Sequence, residues 1–432
     1  MNNFQLPKVL VIGINAWRED GTAHTLMDIF QCWDPERVAL VYTRADLPNT
    51  KVCSRYFQIS ESQIIQSIIK PWKRVGKVVA NTPVVNIGEV EKEHTRYTLA
   101  HKRNSSLLPL IRELVWKFGH WKTSELKKFV KDFEPDIIFI PIYPVVYMGR
   151  IQEYIAKITG KPTVCYLADD NYSYDSCSDL CSYIHRFWLR RHVGPIARKC
   201  NDMFVIVEKE KEDTDTRFGT NSKILTKSID FSNKSFQHKQ LNNPLKFVYT
   251  GSMVIGRDKT LALVADAINE VNSRCGEIKA ELYIYSQTEP NEAIRKRLDN
   301  KSSHFCGRID RSEVVKVQQN ADVVIFAEAL EGKEANAAKL SFSTKITDYI
   351  SNGKCVLAIG KDYIAPIDYF KRNDSALIAH STEDILQQIT RIVNQPELID
   401  EYGEKAYKCA VRNHEKEMMN RRFIDTMLLV IR

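Results

Sequence analysis

Short runs of β-branched and aliphatic residues recur along the whole chain, and most are followed by a longer stretch with helical periodicity. This alternation constrains the fold more than any other feature. A strand, a helix and a further strand make a right-handed crossover unit, and repeated units build a parallel sheet wrapped by helices. In the first half the expected strands are Val9–Ile14, Val38–Tyr42, Ile137–Pro141, Thr163–Leu167 and Met203–Val207. In the second half they are Lys246–Tyr249, Glu281–Tyr285, Ser303–Cys306, Asp322–Phe326 and Lys354–Ile359. Amphipathic patterns predict helices over Ser124–Asp132, Gly149–Thr159, Thr260–Ser273, Asn291–Leu298, Arg311–Asn320 and Thr344–Ser351, and one or two more after Pro396.

A chain of 432 residues exceeds the size at which one hydrophobic core stops growing, so two doubly wound α/β domains are expected. The polar segment Asn233–Asn243, just ahead of Pro244, reads as the linker. This gives an N-terminal domain over 1–240, a C-terminal domain over 244–410, and a helix at 411–432 that packs back on the first. In such sheets ligands sit at the carboxyl ends of the strands, here facing an interdomain cleft. The longest apolar stretch, Ile137–Met148, is interrupted by Pro141 and Pro144 and is too short to span a bilayer. The N-terminus has no signal-peptide pattern, so a cytoplasmic location is expected. Ten cysteines lack any zinc-site or disulfide spacing, and neither metal nor disulfide is expected.

Two segments of the second half carry the candidate chemistry. In "FVYTGSMVIGRDKTLALVADAI" a buried strand ends at Thr250-Gly251-Ser252, and a loop with Arg257 and Lys259 opens a helix. Glycine permits close backbone approach, the helix N-terminus offers free N–H groups, and the two cations suit a pyrophosphate. An ordinary βα-turn with solvated basic residues is the plain alternative. In "LSFSTKITDYISNGKCVLAIG" the residues Ser343 and Thr344 are natural N-caps, and Asp348 lies one turn further on. Backbone N–H groups of Ser343, Thr344 and Lys345 suit a diphosphate and Asp348 a ribose, whereas a capped surface helix is again the plain reading.

Over Lys246–Gly360 the chain resembles the C-terminal domain of family 4 glycosyltransferases. The resemblance rests on the "YTGS" strand–turn–helix, the segment "GRIDRSEVVKVQQNADVVIF" and the helix "STKITDYISNGKCVLA", in that order. It implies the GT-B architecture, two Rossmann-like domains facing a cleft, and a retaining, metal-independent transferase of the hexosyltransferase type with a nucleotide diphosphate sugar such as a UDP-sugar as donor. It assigns Gly251, Ser252, Arg257 and Lys259 to the pyrophosphate, backbone around Gly307, Arg308 and Ile309 to the base, and Asp348 to the ribose where the family usually has Glu. Leu340 stands where a second Glu is common, which leaves Glu328, Glu331 and Glu334 as candidates for the donor sugar.

The first half supplies the acceptor candidates. Gly21 lies in the loop "NAWREDGTAHTLMDIF" after the first strand, and Asp169 and Asp170 follow the strand Thr163–Leu167. Asp169 falls where many relatives have a His near the donor sugar; either acid also suits a helix N-cap. Residues 1–240 carry 35 Lys and Arg against 27 Asp and Glu, while residues 241–432 carry 27 of each. The excess concentrates in Ser62–Lys77, Thr98–Lys131 and His185–Lys199. Interleaved Trp116, Phe118 and Trp121 suggest peripheral contact with an anionic membrane; packing of the same apolar face on its own domain is the alternative. No nucleic-acid motif accompanies the charge. The expected partners are therefore a nucleotide sugar and a glycan or lipid-linked oligosaccharide of the kind used in surface-polysaccharide assembly. A sugar-nucleotide epimerase of the same fold and a non-catalytic nucleotide-sugar-binding relative are the rival readings.

Overall fold

The computed structural model describes residues 5–19, 25–82 and 106–432. These residues form two compact units, one of residues 1–206, 211–226 and 419–432 and one of residues 207–210 and 227–418.

The first unit holds β1 (Val9–Ile12), β2 (Val38–Tyr42), β3 (Arg55–Gln58), β4 (Lys77–Val79), β5 (Ile137–Pro141), β6 (Thr163–Leu167), β7 (Asp202–Val205) and β8 (Lys223–Ile224). They hydrogen-bond in the order β4-β3-β2-β1-β5-β6-β7-β8. All neighbours run parallel except β3 and β4. Strands β1, β2 and β5 are buried on both faces, which is why they read as unbroken apolar runs. Helix Lys416–Val430 enters this unit at Met419, and its Phe423 wedges between Phe30 at 5.0 Å and Phe139 at 6.0 Å between ring centroids.

The second unit holds β9 (Leu245–Thr250), β10 (Ala280–Tyr285), β11 (Ser303–Gly307), β12 (Val323–Ala327), β13 (Cys355–Ile359) and β14 (Leu377–Ala379). Its sheet is parallel, in the order β11-β10-β9-β12-β13-β14. The order reverses between β9 and β12, the topological switch point where ligands bind in doubly wound sheets.

Several expectations need correction. Strands β3, β4, β8 and β14 had no counterpart in the sequence reading. The segment read as a linker belongs to the second unit, because Asp322, buried at the start of β12, accepts hydrogen bonds from Asn242, Lys239 and the Lys246 amide. The chain therefore divides at Thr226/Lys227 rather than at 240/244. Of the two readings of the interleaved aromatics, packing on their own domain holds for Trp116 and Trp121, which are 0% and 5% exposed. Trp116 stacks on Tyr147 at 4.2 Å inside the core, so of those three aromatics only Phe118 faces solvent. All ten cysteines are free thiols, and among the described residues no helix is long and apolar enough to cross a membrane.

Candidate functional site

At the switch point, the residues that leave β9 and β12 are held together. Thr250 ends β9, and Gly251 turns the chain with φ of 134°, a conformation that L side chains rarely adopt. A Cβ at Gly251 would lie 2.3 Å from the Lys345 ammonium. Glycine is thus what lets Lys345 reach the Thr250 carbonyl, to which it donates at 3.2 Å, with its ammonium 5.0 Å from the centre of the Tyr249 ring. Burial, and then the positive charge of Arg257, push the Lys345 ammonium down to about 8, while Glu328 works in the opposite direction.

Arg257 begins helix Arg257–Cys275. Its Nε and Nη2 both donate to the Glu328 carboxylate at 2.8 Å. Glu328 is only 4% exposed, so this is a largely desolvated, bidentate pair. A guanidinium has five N–H donors; the two spent on Glu328 fix its plane and leave the Nη1 end available. The preceding loop is strained, for Ile255 sits at φ 60°, where a β-branched side chain is an outlier. Gly256 follows at φ 74° and comes so close to Ala329 that a Cβ would lie 2.9 Å from that side chain. Thr260 adds a hydrogen bond to the Glu328 carbonyl at 2.9 Å. Loop, helix start and the end of β12 are thereby clamped into one piece.

Helix Thr344–Ser351 opens from Ser343, whose side chain makes no capping hydrogen bond. Its first N–H groups therefore carry the positive end of the helix dipole without a side-chain cap. Together with Arg257 and Lys345, the arrangement can hold a doubly charged oxyanion such as a diphosphate.

The remaining candidates fall in different settings. Ser252 hydrogen-bonds Thr288 at 3.3 Å. Lys259 lies exposed on the first turn of its helix. Arg308 is exposed and Ile309 half-buried just beyond β11. Asp348 forms an ion pair with Lys227 of the same unit. Glu331 and Glu334 are exposed, whereas Glu328 directly follows β12 and is buried. Its pairing with Arg257 was missed in the sequence; the available signal was an acid placed at once after the apolar run Val323–Ala327.

In the first unit Asp169 is exposed after β6. Asp170 accepts hydrogen bonds from the amides of Tyr172 at 3.1 Å and Ser173 at 2.8 Å. Burial acts to raise its carboxyl, but these bonds, the Ser173 hydroxyl and Arg186 hold it below the usual carboxylate range. Asp170 thus organises its own loop, and the helix N-cap nearby is Asp179 instead. Gly21 lies outside the described residues. Among the described residues no three His, Cys, Asp or Glu side chains gather as a metal site.

Residues 271–424 match a family described as glycosyl transferase-like. This span covers β12, Glu328 and helix Thr344–Ser351, and leaves Gly251 and Arg257 outside. No curated protein matches the chain. Among solved structures, HepE of Anabaena in complex with UDP and glucose is similar with a TM-score of 0.62 at 10% identity, covering 97% of this chain and 99% of that one. Sucrose-phosphate synthase of Thermosynechococcus elongatus aligns with a TM-score of 0.60 at 10% identity over 98% of both chains. A glycosyltransferase of Rickettsia africae aligns with 0.58 at 10% identity over 99% of both. The likeness establishes the GT-B fold.

Proposed function

We propose that the chain is a glycosyltransferase that moves a sugar from a nucleotide diphosphate donor, bound by the second unit, to a glycan or lipid-linked glycan acceptor. The observation that carries this reading is the meeting of Arg257, Lys345 and an uncapped helix N-terminus at the β9/β12 switch point. Cations fixed before the donor arrives stabilise the charge that builds on the departing diphosphate as the sugar C1–O bond breaks, at no reorganisation cost. The acceptor oxygen then bonds to C1, with retention as the family resemblance implies, and its proton passes to a base, a role for which the resemblance offers Asp169. The similarity of residues 271–424 to a glycosyl transferase-like family, and of the whole chain to a protein crystallised with UDP and glucose, supports the reading.

The test is nucleotide release from a panel of UDP- and GDP-sugars, with and without glycan acceptors. Acceptor-dependent release supports transfer. Isomerisation of the sugar nucleotide without acceptor favours an epimerase, and tight binding with no turnover favours a binding protein. Because two protein cations and the helix terminus face the diphosphate, activity is expected to survive EDTA. Loss with EDTA, restored by Mg²⁺ or Mn²⁺, contradicts metal independence.

Asp348→Asn probes the ribose contact. A lost hydrogen bond to a charged group contributes about 1.5–3 kcal/mol, so donor KM should rise roughly tenfold to a hundredfold with kcat little changed. An unaltered donor KM assigns Asp348 to its pairing with Lys227 alone.

A further inference from the structure

Large apolar side chains are exposed in one part of the first unit. On helix Leu107–Phe118 the residues Leu107, Ile111, Leu114 and Phe118 face solvent, Phe118 at 63% exposure, with the spacing of one continuous helical stripe. The opposite side of this helix is already committed to the core through Leu110, Glu113 and Trp116. It is therefore apolar on two faces, and only one has a partner among the described residues. The adjoining helices carry further exposed apolar residues. Helix Glu61–Ile69 is tied to it by the ion pair of Glu61 with Arg112 at 2.7 Å, and adds Ile69 and, just beyond its end, Trp72 at 79% exposure. Helix Leu180–Lys199 is tied to it by His185 and Glu113 at 3.6 Å, and adds Leu180, Tyr183 and Phe187.

Positive charge predominates around this face, although Glu61, paired with Arg112 at 2.7 Å, opens the first helix and the exposed Asp179 caps the last. Ser62–Lys77 and Leu180–Lys199 contain no acidic residue, and Leu107–Phe118 contains only Glu113, which is buried and accepts the amides of Val146 and Tyr147 at 2.8 Å. Lys70, Lys73, Arg74, Lys117 and Arg191 are exposed. At the Phe118 end, Lys117 also lines a groove of about 800 Å³ that includes Lys122, Arg150 and Lys157. Its aromatic wall is Trp121 and Tyr154, and the Tyr154 hydroxyl is buried with no hydrogen-bond partner among the described residues. Its one acid, Glu153, is taken by His192 at 2.9 Å.

We propose that this three-helix face docks on an anionic lipid bilayer, with the apolar stripe entering the acyl boundary and the Lys122–Lys157 groove receiving a lipid phosphate headgroup. An apolar face with a predominantly cationic rim is matched by a surface that is apolar beneath and negative above. This goes beyond sugar transfer and is tested without it.

The experiment is co-sedimentation of the full chain with phosphatidylcholine vesicles with and without phosphatidylglycerol. Binding to the acidic vesicles, with a blue shift in emission that Trp72→Phe removes, is the expected result. The Debye length falls from about 10 Å at 0.1 M salt to about 3 Å at 1 M, so high salt should release most of the protein and leave an inserted fraction. Ile111→Ser/Phe118→Ser alters only exposed positions and should abolish that fraction. Lys122→Gln/Lys157→Gln should cost more than about tenfold in partition, at roughly fivefold per cation near the surface, with any binding to neutral vesicles unchanged. Nucleotide binding by the same variants should match the wild type, which separates this proposal from the donor reading. Wild type that ignores acidic vesicles at low salt, or binding that neither variant alters, overturns the proposal. Self-association lost in Ile111→Ser/Phe118→Ser, without vesicle binding, assigns the face to a second copy of the chain.

Discussion

Replacing Arg257 by alanine is expected to damage both stability and donor binding, and a second substitution should separate the two. Glu328 is 4% exposed and takes both its hydrogen bonds from Arg257 at 2.8 Å. Removing the guanidinium strands a buried carboxylate, which costs about 3–5 kcal/mol and should lower the melting temperature of the second unit by roughly 10 °C. Glu328→Ala should cost a similar amount, because it leaves the cation unpaired. Arg257→Met/Glu328→Gln removes both charges and should recover most of the stability. Nucleotide diphosphate affinity should not recover in the double variant: one charge-assisted contact is worth about 1.5–3 kcal/mol, so it should stay roughly tenfold to a hundredfold down. Calorimetric titration of UDP and GDP into the three variants decides the matter. If the double variant binds nucleotide as the wild type does, Arg257 only holds β12 to the helix and the diphosphate assignment is wrong.

That pair also shows where sequence reasoning stops. The strand–turn–helix opening at Arg257 and the helix following Ser343 were legible because local pattern specifies each: a buried run, a glycine turn and an amphipathic repeat, although the side-chain cap expected of Ser343 is not made. Arg257 and Glu328 lie 71 positions apart, and they meet only because β9 pairs with β12 as well as with β10. Nothing in either segment announces that order. Strands β3, β4, β8 and β14 went unread for another reason. They are two to four residues long, and short strands of mixed polarity give no period to detect. The burial of Trp116 with the exposure of Leu107, Ile111, Leu114 and Phe118 was hidden because a helix apolar on both sides does not say which side faces its own core.

The effect expected of Lys345 is unusual in sign and tests the site through pH. Its ammonium is pushed down to about 8 from the usual lysine value of 10.5, first by burial and then by Arg257. A lysine depressed in the folded state holds fewer protons there than in the unfolded chain between those two values, so stability rises with pH across that window. Below about pH 8 the lysine is charged in both states and the full penalty stands. Lys345→Met should therefore raise the melting temperature of the ligand-free protein at pH 7 and flatten the rise in stability between pH 8 and 10.5. Lys354 is also pushed down to about 8, by burial and by Lys239, so the difference between wild type and variant is the quantity to read. Function should move the other way. A diphosphate beside Lys345 favours the charged form, so binding above pH 8 must take up a proton and weaken by up to about tenfold per pH unit. Calorimetry at pH 9 in two buffers of different ionisation enthalpy measures that uptake directly. Lys345→Met should show none, and at pH 7 should bind nucleotide roughly tenfold to a hundredfold more weakly. Gly251→Ala offers an independent route to the same loss, since its Cβ would lie 2.3 Å from the ammonium and displace it from the Thr250 carbonyl. Unchanged nucleotide affinity in both variants, with no proton uptake in the wild type, would remove Lys345 from the donor site and leave it as a buried tether between β9 and helix Thr344–Ser351.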